Sequence, residues 1–339
     1  MSLPHPMEDV VQTAFPWLAN YAPEVSADIE IPHQSMPAFL AQSVAQWPDR
    51  PAIKPLGGKA YTYQELGDLV DRAATGLQKL GVAKGVKVGL FMPNATAAIV
   101  MYYAILKAGG TVVNYNPVYV ERDLVNQIAD SDTTFLVTLD AAPLLEKASA
   151  LLGKSALQKL IVCPATQDLR KKSTVPEALA GKEDMLWLAD LLVDAADFTP
   201  VEIDPDKDIA VLQYTGGTTG VPKGAMLSHK NVAANALQIG NWFHTAENGK
   251  DSIIAVLPLF HVFAMTVAMN MPLMKGMQIL LLPSFSVPDV LSLIKTERPA
   301  FMAGVPTMYI ALANDGRVAE YDFGCFKFCL SGGAPLPAD

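Results

Sequence analysis

The tightest constraint on what this chain can fold into is a complete strand–helix–strand unit written between Lys87 and Asn114. Lys87–Met92 (KVGLFM) is a short apolar run between breakers and predicts a buried strand. Pro93-Asn94 turns the chain, and Asn94 is placed to cap a helix. Ala95–Lys107 (ATAAIVMYYAILK) has helical composition and length, Gly109-Gly110 stops it, and Thr111–Asn114 (TVVN) opens the next strand. A second unit follows, with Glu121–Asp130 as helix and Thr134–Thr138 as strand. Pro37–Trp47 and Tyr63–Leu80 read as further amphipathic helices. Such alternation calls for an α/β fold, a mostly parallel sheet covered by helices on both faces.

Residues 140–207 are less regular. They hold Pro164, Pro176, Pro200 and Pro205 and one clear strand, Leu160–Cys163, and are expected to be a connecting region. The α/β pattern resumes at Asp208. Ile253–Met274 carries no charge and is long enough to cross a bilayer. Pro258, His261, Asn270 and Pro272 interrupt it, so a buried strand, a loop and a buried helix are expected instead. Of the 339 residues, 51% are hydrophobic and 17% charged, which argues against disorder. A formal charge of −9 leaves no basic field for nucleic acid, and Arg170-Lys171-Lys172 reads as a solvated turn. Three cysteines, an odd and sparse count without a secretory signal, fit a reducing cytoplasm. Cys325 and Cys329 have no further ligands nearby for zinc and are expected to be apolar fillers of a strand.

The chemistry is concentrated in one loop. Ile209–Tyr214 (IAVLQY) predicts a strand, Gly224–Leu227 begins another, and Ser228 can cap a helix over His229–Phe243. Between them run Thr215, Gly216, Gly217, Thr218, Thr219, Gly220, Val221, Pro222, Lys223 and Gly224. Glycines let the backbone approach an anion and aim successive N–H groups at it. Threonine hydroxyls add donors, and Lys223 supplies a compact mobile charge suited to phosphate. The loop has what a polyphosphate needs. It is not a Walker A loop, which places Gly before the Lys and Ser or Thr after it; here Pro222 precedes and Gly224 follows.

The segment YTGGTTGVPKG resembles the signature of the acyl-CoA synthetase, adenylation-domain and luciferase superfamily, with Gly216 where the usual loop has Ser. Further segments agree in order: YTYQEL at Tyr61–Leu66, GGTVVNYNP at Gly109–Pro117, VLPLFHVFA at Val256–Ala264, AGVPTMY at Ala303–Tyr309 and FKFCLSGGAPL at Phe326–Leu336. The texture is similar to bacterial long-chain fatty acid–CoA ligases from about Gln34 onward. The resemblance implies stacked α/β subdomains, the αβαβα-type N-terminal domain of adenylate-forming enzymes, truncated. Its divisions would be an N-terminal extension (1–33), a first subdomain (34–207) and a second (208–339), with the C-terminal domain absent.

By the same resemblance, Thr215, Gly216, Gly217, Thr218, Thr219, Gly220 and Lys223 would hold the ATP phosphates. His261 would stand by the substrate carboxylate and the path of CoA, and His261 and Lys223 would be the catalytic pair. His261, Phe263, Met265, Gly304 and Val305 would shape an acyl pocket, with Met265 as its gate; the methionines at 265, 269, 271, 274 and 277 otherwise read as core. Gly332, Gly333, Ala334 and Pro335 would meet adenine. No metal ligand is implied within the chain beyond Thr218 as a candidate. The implied co-substrates are ATP with Mg2+, CoA and a fatty acid, in a cytoplasmic enzyme for which peripheral membrane contact suits long-chain substrates. The family continues past Asp339, so the chain is expected to be a fragment unable to form acyl adenylate alone. An aryl or medium-chain ligase, an acyl-AMP ligase and a non-catalytic relative stay open as alternatives.

Overall fold

Period-two burial along the strands sets the layers. The computed structural model describes residues 15–166, 168–172, 183–215 and 222–336. Strands β3 (Lys87–Phe91), β4 (Thr111–Tyr115), β5 (Thr133–Leu139), β6 (Lys159–Cys163), β7 (Met185–Trp187), β8 (Ile209–Thr215) and β9 (Lys223–Ser228) form one sheet in the order β7-β6-β5-β3-β4-β8-β9. Strands β1 (Pro51–Pro55), β2 (Tyr61–Thr62), β10 (Ser252–Ala255), β11 (Gln278–Leu281), β12 (Phe301–Gly304) and β13 (Phe328–Ser331) form the other, in the order β13-β12-β10-β11-β1-β2. All pairings are parallel except β1–β2 and β8–β9, each at a sheet edge.

Val88 and Leu90 of β3 point into a core shared with Ile253 and Ala255 of β10 and Ile279 and Leu281 of β11. That core lies between the sheets. It is filled by α1 (Met36–Gln46), α2 (Tyr63–Lys79), α3 (Thr96–Lys107) and α7 (His229–Trp242), and by the helical run α8 (Val262–Ala264), a π-helical turn (Met265–Asn270) and α9 (Met271–Met274). The alternate residues Phe91, Val113 and Leu136 pack outward against α4 (Glu121–Ser131) and α5 (Ala142–Leu151). Ile254, Leu280 and Met302 pack outward against α10 (Val287–Glu297) and α11 (Pro306–Ala313). The order is helix, sheet, helix, sheet, helix, as expected.

Every residue of α3 from Thr96 to Leu106 is buried, because this helix lies inside the core between the sheets and cannot be amphipathic. Asn94 does not cap it; Ala95 holds that position. The Asn94 amide instead donates to the carbonyls of Leu257 (2.9 Å) and Leu282 (3.1 Å), and its oxygen accepts from Leu259 N–H (2.8 Å). A buried amide with three backbone groups in reach satisfies those first. Gly109-Gly110 does end the helix: Gly109 is left-handed (φ +88), and Gly110 N–H donates to Ile105 O at 2.9 Å. Ser228 caps α7 in a reciprocal box with Asn231, and Thr62 caps α2 with Glu65.

The described part of the connecting region is more regular than expected. Ala142–Leu151 forms α5, started by a proline in its first turn, and β7 and a short α6 (Leu188–Leu191) complete the seven-stranded sheet. Sheet membership crosses the 207/208 division both ways: β8 pairs with β4, and β1 pairs with β11. Residues 253–274 are a strand, a turn and a buried helical run, and among the described residues no helix is long and apolar enough to cross a membrane. The methionines at 265, 269, 271 and 277 are core residues. The cysteine pair differs from expectation. Cys325 precedes β13, and Cys329 is exposed, because β13 lies at the edge of its sheet with that side uncovered in this chain.

Candidate active site

Strands β8 and β9 run antiparallel with Thr215 directly opposite Lys223. Thr215 and Lys223 therefore form the base of a hairpin. Gly216, Gly217, Thr218, Thr219 and Gly220 lie outside the described residues. A strand, not a helix, follows the tip, so no helix start lies beneath it as in a Walker-type loop. Thr215 and Lys223 are both exposed, and the Lys223 ammonium makes no ion pair among the described residues. Gly224 serves the hairpin in another way: it faces Tyr214 across the strands, and a Cβ there would stand 3.0 Å from the ring. The Tyr214 hydroxyl donates to Asp130 Oδ2 at 2.5 Å, and burial with that carboxylate pushes its pKa up. The root of the hairpin is thereby fixed to α4.

Thr215 is on the rim of a cleft of about 400 Å³ that also takes in Asn114, Gln127, Gln213, Phe260 and His261. His261 precedes α8, and its Nδ1 accepts the Phe263 backbone N–H at 3.3 Å. That assigns the proton of the neutral ring to Nε2, which has no hydrogen-bond partner among the described residues. The ring is thus oriented by its own backbone and keeps one donor for a ligand.

The floor of the cleft is a polar ladder that the sequence reading missed. Gln127 Nε2 donates to Asn114 O (2.9 Å), Asn114 Nδ2 to Gln213 Oε1 (2.9 Å), and Gln213 Nε2 to Phe260 O (3.2 Å). Asn114, Gln127 and Gln213 are nearly buried, so the ladder ties α4, β4 and β8 of one sheet to the loop that carries His261 from the other. The available signal was a polar residue inside each apolar run, TVVNYN and IAVLQY. Asn114 also meets Met265 Sδ at 3.7 Å, which puts the buried Met265 directly behind the cleft.

The remaining expected residues gather at the ends of β12 and β13. Gly304 pairs with Ser331, and Gly332 N–H donates to Gly304 O at 3.1 Å. Tyr309 clamps both strands by donating to Met302 O and Leu330 O; a Cβ on Gly304 would stand 2.9 Å from its ring. Phe263 lies against Gly332, where a Cβ would be 2.9 Å from Cζ. Gly333 is left-handed (φ +80) beside Val305, and Gly333, Ala334 and Pro335 are exposed. Two groups thus form: Thr215 and His261 at the cleft, with Lys223 opposite Thr215 on the next strand, and Gly304, Val305 and Gly332–Pro335 at the neighbouring strand ends. Phe263, two residues after His261, connects them.

The described lining of the cleft contains no carboxylate. The residues present therefore do not make a hard-cation site by themselves, and Thr218 lies outside the described residues.

Comparison with known proteins supplies a family. Residues 40–339 match the model of the family described as AMP-binding enzyme. A long-chain-fatty-acid–CoA ligase of Bacillus subtilis is 33% identical over 97% of this chain and 60% of its own length. A probable 4-coumarate–CoA ligase of Dictyostelium discoideum is 26% identical over 92% of this chain and 57% of its own. The crystal structure of a long-chain-fatty-acid–CoA ligase from Archaeoglobus fulgidus superposes with a TM-score of 0.77 at 25% identity, over 92% of this chain and 60% of that one. The chain thus spans about 60% of the length of the relatives it matches.

Proposed function

We propose a function from one premise: this chain belongs to the AMP-binding enzyme family. In the protein that carries it, the chain holds ATP and a carboxylic acid for acyl activation. A carboxylate oxygen attacks the ATP α-phosphorus, the bond to the β-phosphate oxygen breaks, and acyl adenylate and pyrophosphate form. The thiol of CoA then attacks the acyl carbonyl and AMP leaves. A carboxylate is a poor acyl donor because oxide would have to depart; AMP is a far better leaving group.

The observation that carries this reading is the pairing of Thr215 with Lys223 at the base of a Thr/Gly hairpin on the rim of the His261 cleft. Lys223 and the hairpin donors would neutralise the departing pyrophosphate. His261 Nε2–H would orient the substrate carboxylate. Phe263, Met265, Gly304 and Val305 would bound the acyl group, and Gly332–Pro335 would meet adenine. Mg2+ would accompany ATP, but no step is assigned to it, because the described cleft lining has no hard-cation ligand set. The substrate class we infer is a long-chain fatty acid, supported by the ligase of Bacillus subtilis. The likeness to a 4-coumarate ligase keeps an aryl acid as the second reading. The chain alone is proposed to be inactive, since it spans only about 60% of such relatives.

A substrate panel tests the assignment. The full-length protein is offered short, medium, long-chain and aryl acids with ATP and CoA, and thioester is measured. Preference for long-chain acids supports the inference. Preference for aryl acids selects the second reading, and no thioester with any acid contradicts both.

A further inference from the structure

The start of α3 is a largely buried helix end whose first donors have no partner among the described residues. Ala95 occupies the capping position and its methyl group cannot accept a hydrogen bond. The adjacent Asn94 amide is fully committed to Leu257, Leu259 and Leu282. The backbone N–H groups of Thr96 and Ala97 have no partner among the described residues, and neither has the Thr96 hydroxyl. Thr96 is nevertheless only 6% exposed and Ala97 only 1%. Groups on residues this deep are normally paired, and the Thr96 hydroxyl, unpaired among the described residues but not sealed from solvent, is a second sign, separate from the helix end itself.

Thr96 and Ala97, which carry these donors, both line a pocket of about 250 Å³. The pocket lies at the C-terminal ends of β1, β5 and β11 and just past β3 and β6, where the two sheets approach each other. Its walls are mostly apolar, with Leu56, Leu139, Pro164, Leu169, Leu281 and Pro283, and Asn94 and Thr166 are the other polar residues of the described lining. Among the described residues no charged side chain lines it, and it shares no lining residue with the His261 cleft.

We propose that this pocket is a separate binding site for a small organic monoanion, a carboxylate on a short apolar body. The carboxylate oxygens take the Thr96 and Ala97 N–H groups and the Thr96 hydroxyl, at the positive end of a twelve-residue helix. The hydrocarbon body takes the leucine and proline walls. The absence of any Lys or Arg from the described lining favours a single negative charge over a phosphate dianion. The volume lies just under the roughly 300–1,000 Å³ of sites for drug-sized ligands, which suits a body of a few methylenes. The site does not depend on the acyl-activation reading.

The test reads the site directly, because a fatty acid could also enter the cleft. The full-length protein, labelled with ¹⁵N-threonine and ¹⁵N-alanine, is titrated with sodium octanoate while the amide resonances of Thr96 and Ala97 are followed. Saturable movement of both is expected. Thr96→Val keeps the shape and removes the hydroxyl; it should weaken octanoate, read at Ala97, by about fivefold or more, the loss of one hydrogen bond to a charged group. Thr96→Ser should hold the affinity within about twofold. Ala165→Trp, at an exposed position on the rim, should block the movement without disturbing the core. Inorganic phosphate should bind more weakly than octanoate. Resonances that stay still at millimolar octanoate, unchanged affinity in Thr96→Val, movement that persists in Ala165→Trp, or phosphate binding as tightly as octanoate would each overturn the proposal.

Discussion

Acidification should weaken this fold through one residue, His229. It is 2% exposed at the start of α7, and its Nδ1 accepts the Met36 backbone N–H at 3.2 Å. That bond joins the first turn of α1 to α7 and requires an unprotonated Nδ1. Burial pushes the imidazole pKa down from 6.5 to about 4; Asp208 opposes the shift and Lys84 adds to it. Above pH 6.5 the ring is neutral folded and unfolded, and the contribution is fully present. As pH falls below 6.5 the unfolded chain takes up the proton first, so stability is lost until about pH 4, where the folded ring also titrates. Each pH unit between the two values is worth about 1.4 kcal/mol, so the full loss is about 3 kcal/mol. Other carboxylates titrate in the same range, so the comparison is with His229→Gln, whose amide oxygen can accept from Met36 without titrating. Urea unfolding of both proteins from pH 7.5 to 4.5 should show the stability difference moving against the wild type by about 2–3 kcal/mol. A difference that stays constant across that range would refute the reasoning.

Other perturbations probe the layers and the hairpin. Gly89→Ala places a Cβ 2.6 Å from Leu136 Cδ1 and 2.7 Å from the Tyr115 ring, so thermal unfolding should show a loss of about 1–3 kcal/mol. Asn270, fully buried, accepts from the Tyr103 hydroxyl at 2.9 Å and donates to that of Tyr102 at 3.3 Å. Asn270→Leu should cost about 2–3 kcal/mol in urea by orphaning two buried hydroxyls, and a neutral result would mean that they repair each other. Lys223→Ala in the full-length protein should lower pyrophosphate–ATP exchange by about tenfold or more with an unchanged Tm, since the side chain is exposed and makes no ion pair among the described residues; unchanged exchange would remove Lys223 from the phosphate site.

Much of the architecture was legible because local and global signals agree. The alternation from Lys87 to Asn114 has one physical solution, a strand, a core helix and a parallel strand, and the glycine stop at 109–110 is conformationally obligatory. What the sequence did not disclose is which sheet a strand joins. β1 and β2 cross to the later sheet and β8 and β9 to the earlier one, and such choices are made by long-range packing. Asn94 reads as a cap but serves strand ends more than 160 residues away. The site was half legible. His261 and the Thr215–Lys223 base stand out as motifs, whereas Gln127, Asn114 and Gln213 look like stray polar residues until the fold aligns them into one ladder. Gly224 reads as part of an anion grip and is explained by the Tyr214 ring.

The central claim is that the β8–β9 hairpin serves acyl activation with departure of pyrophosphate, and not hydrolysis at the γ-phosphate. The nucleotide products report on it directly. Full-length protein, incubated with ATP, a long-chain fatty acid and CoA, should yield AMP and pyrophosphate in step with thioester, and almost none when the acid is left out. ADP and inorganic phosphate as the products, or turnover indifferent to the acid, would contradict the account.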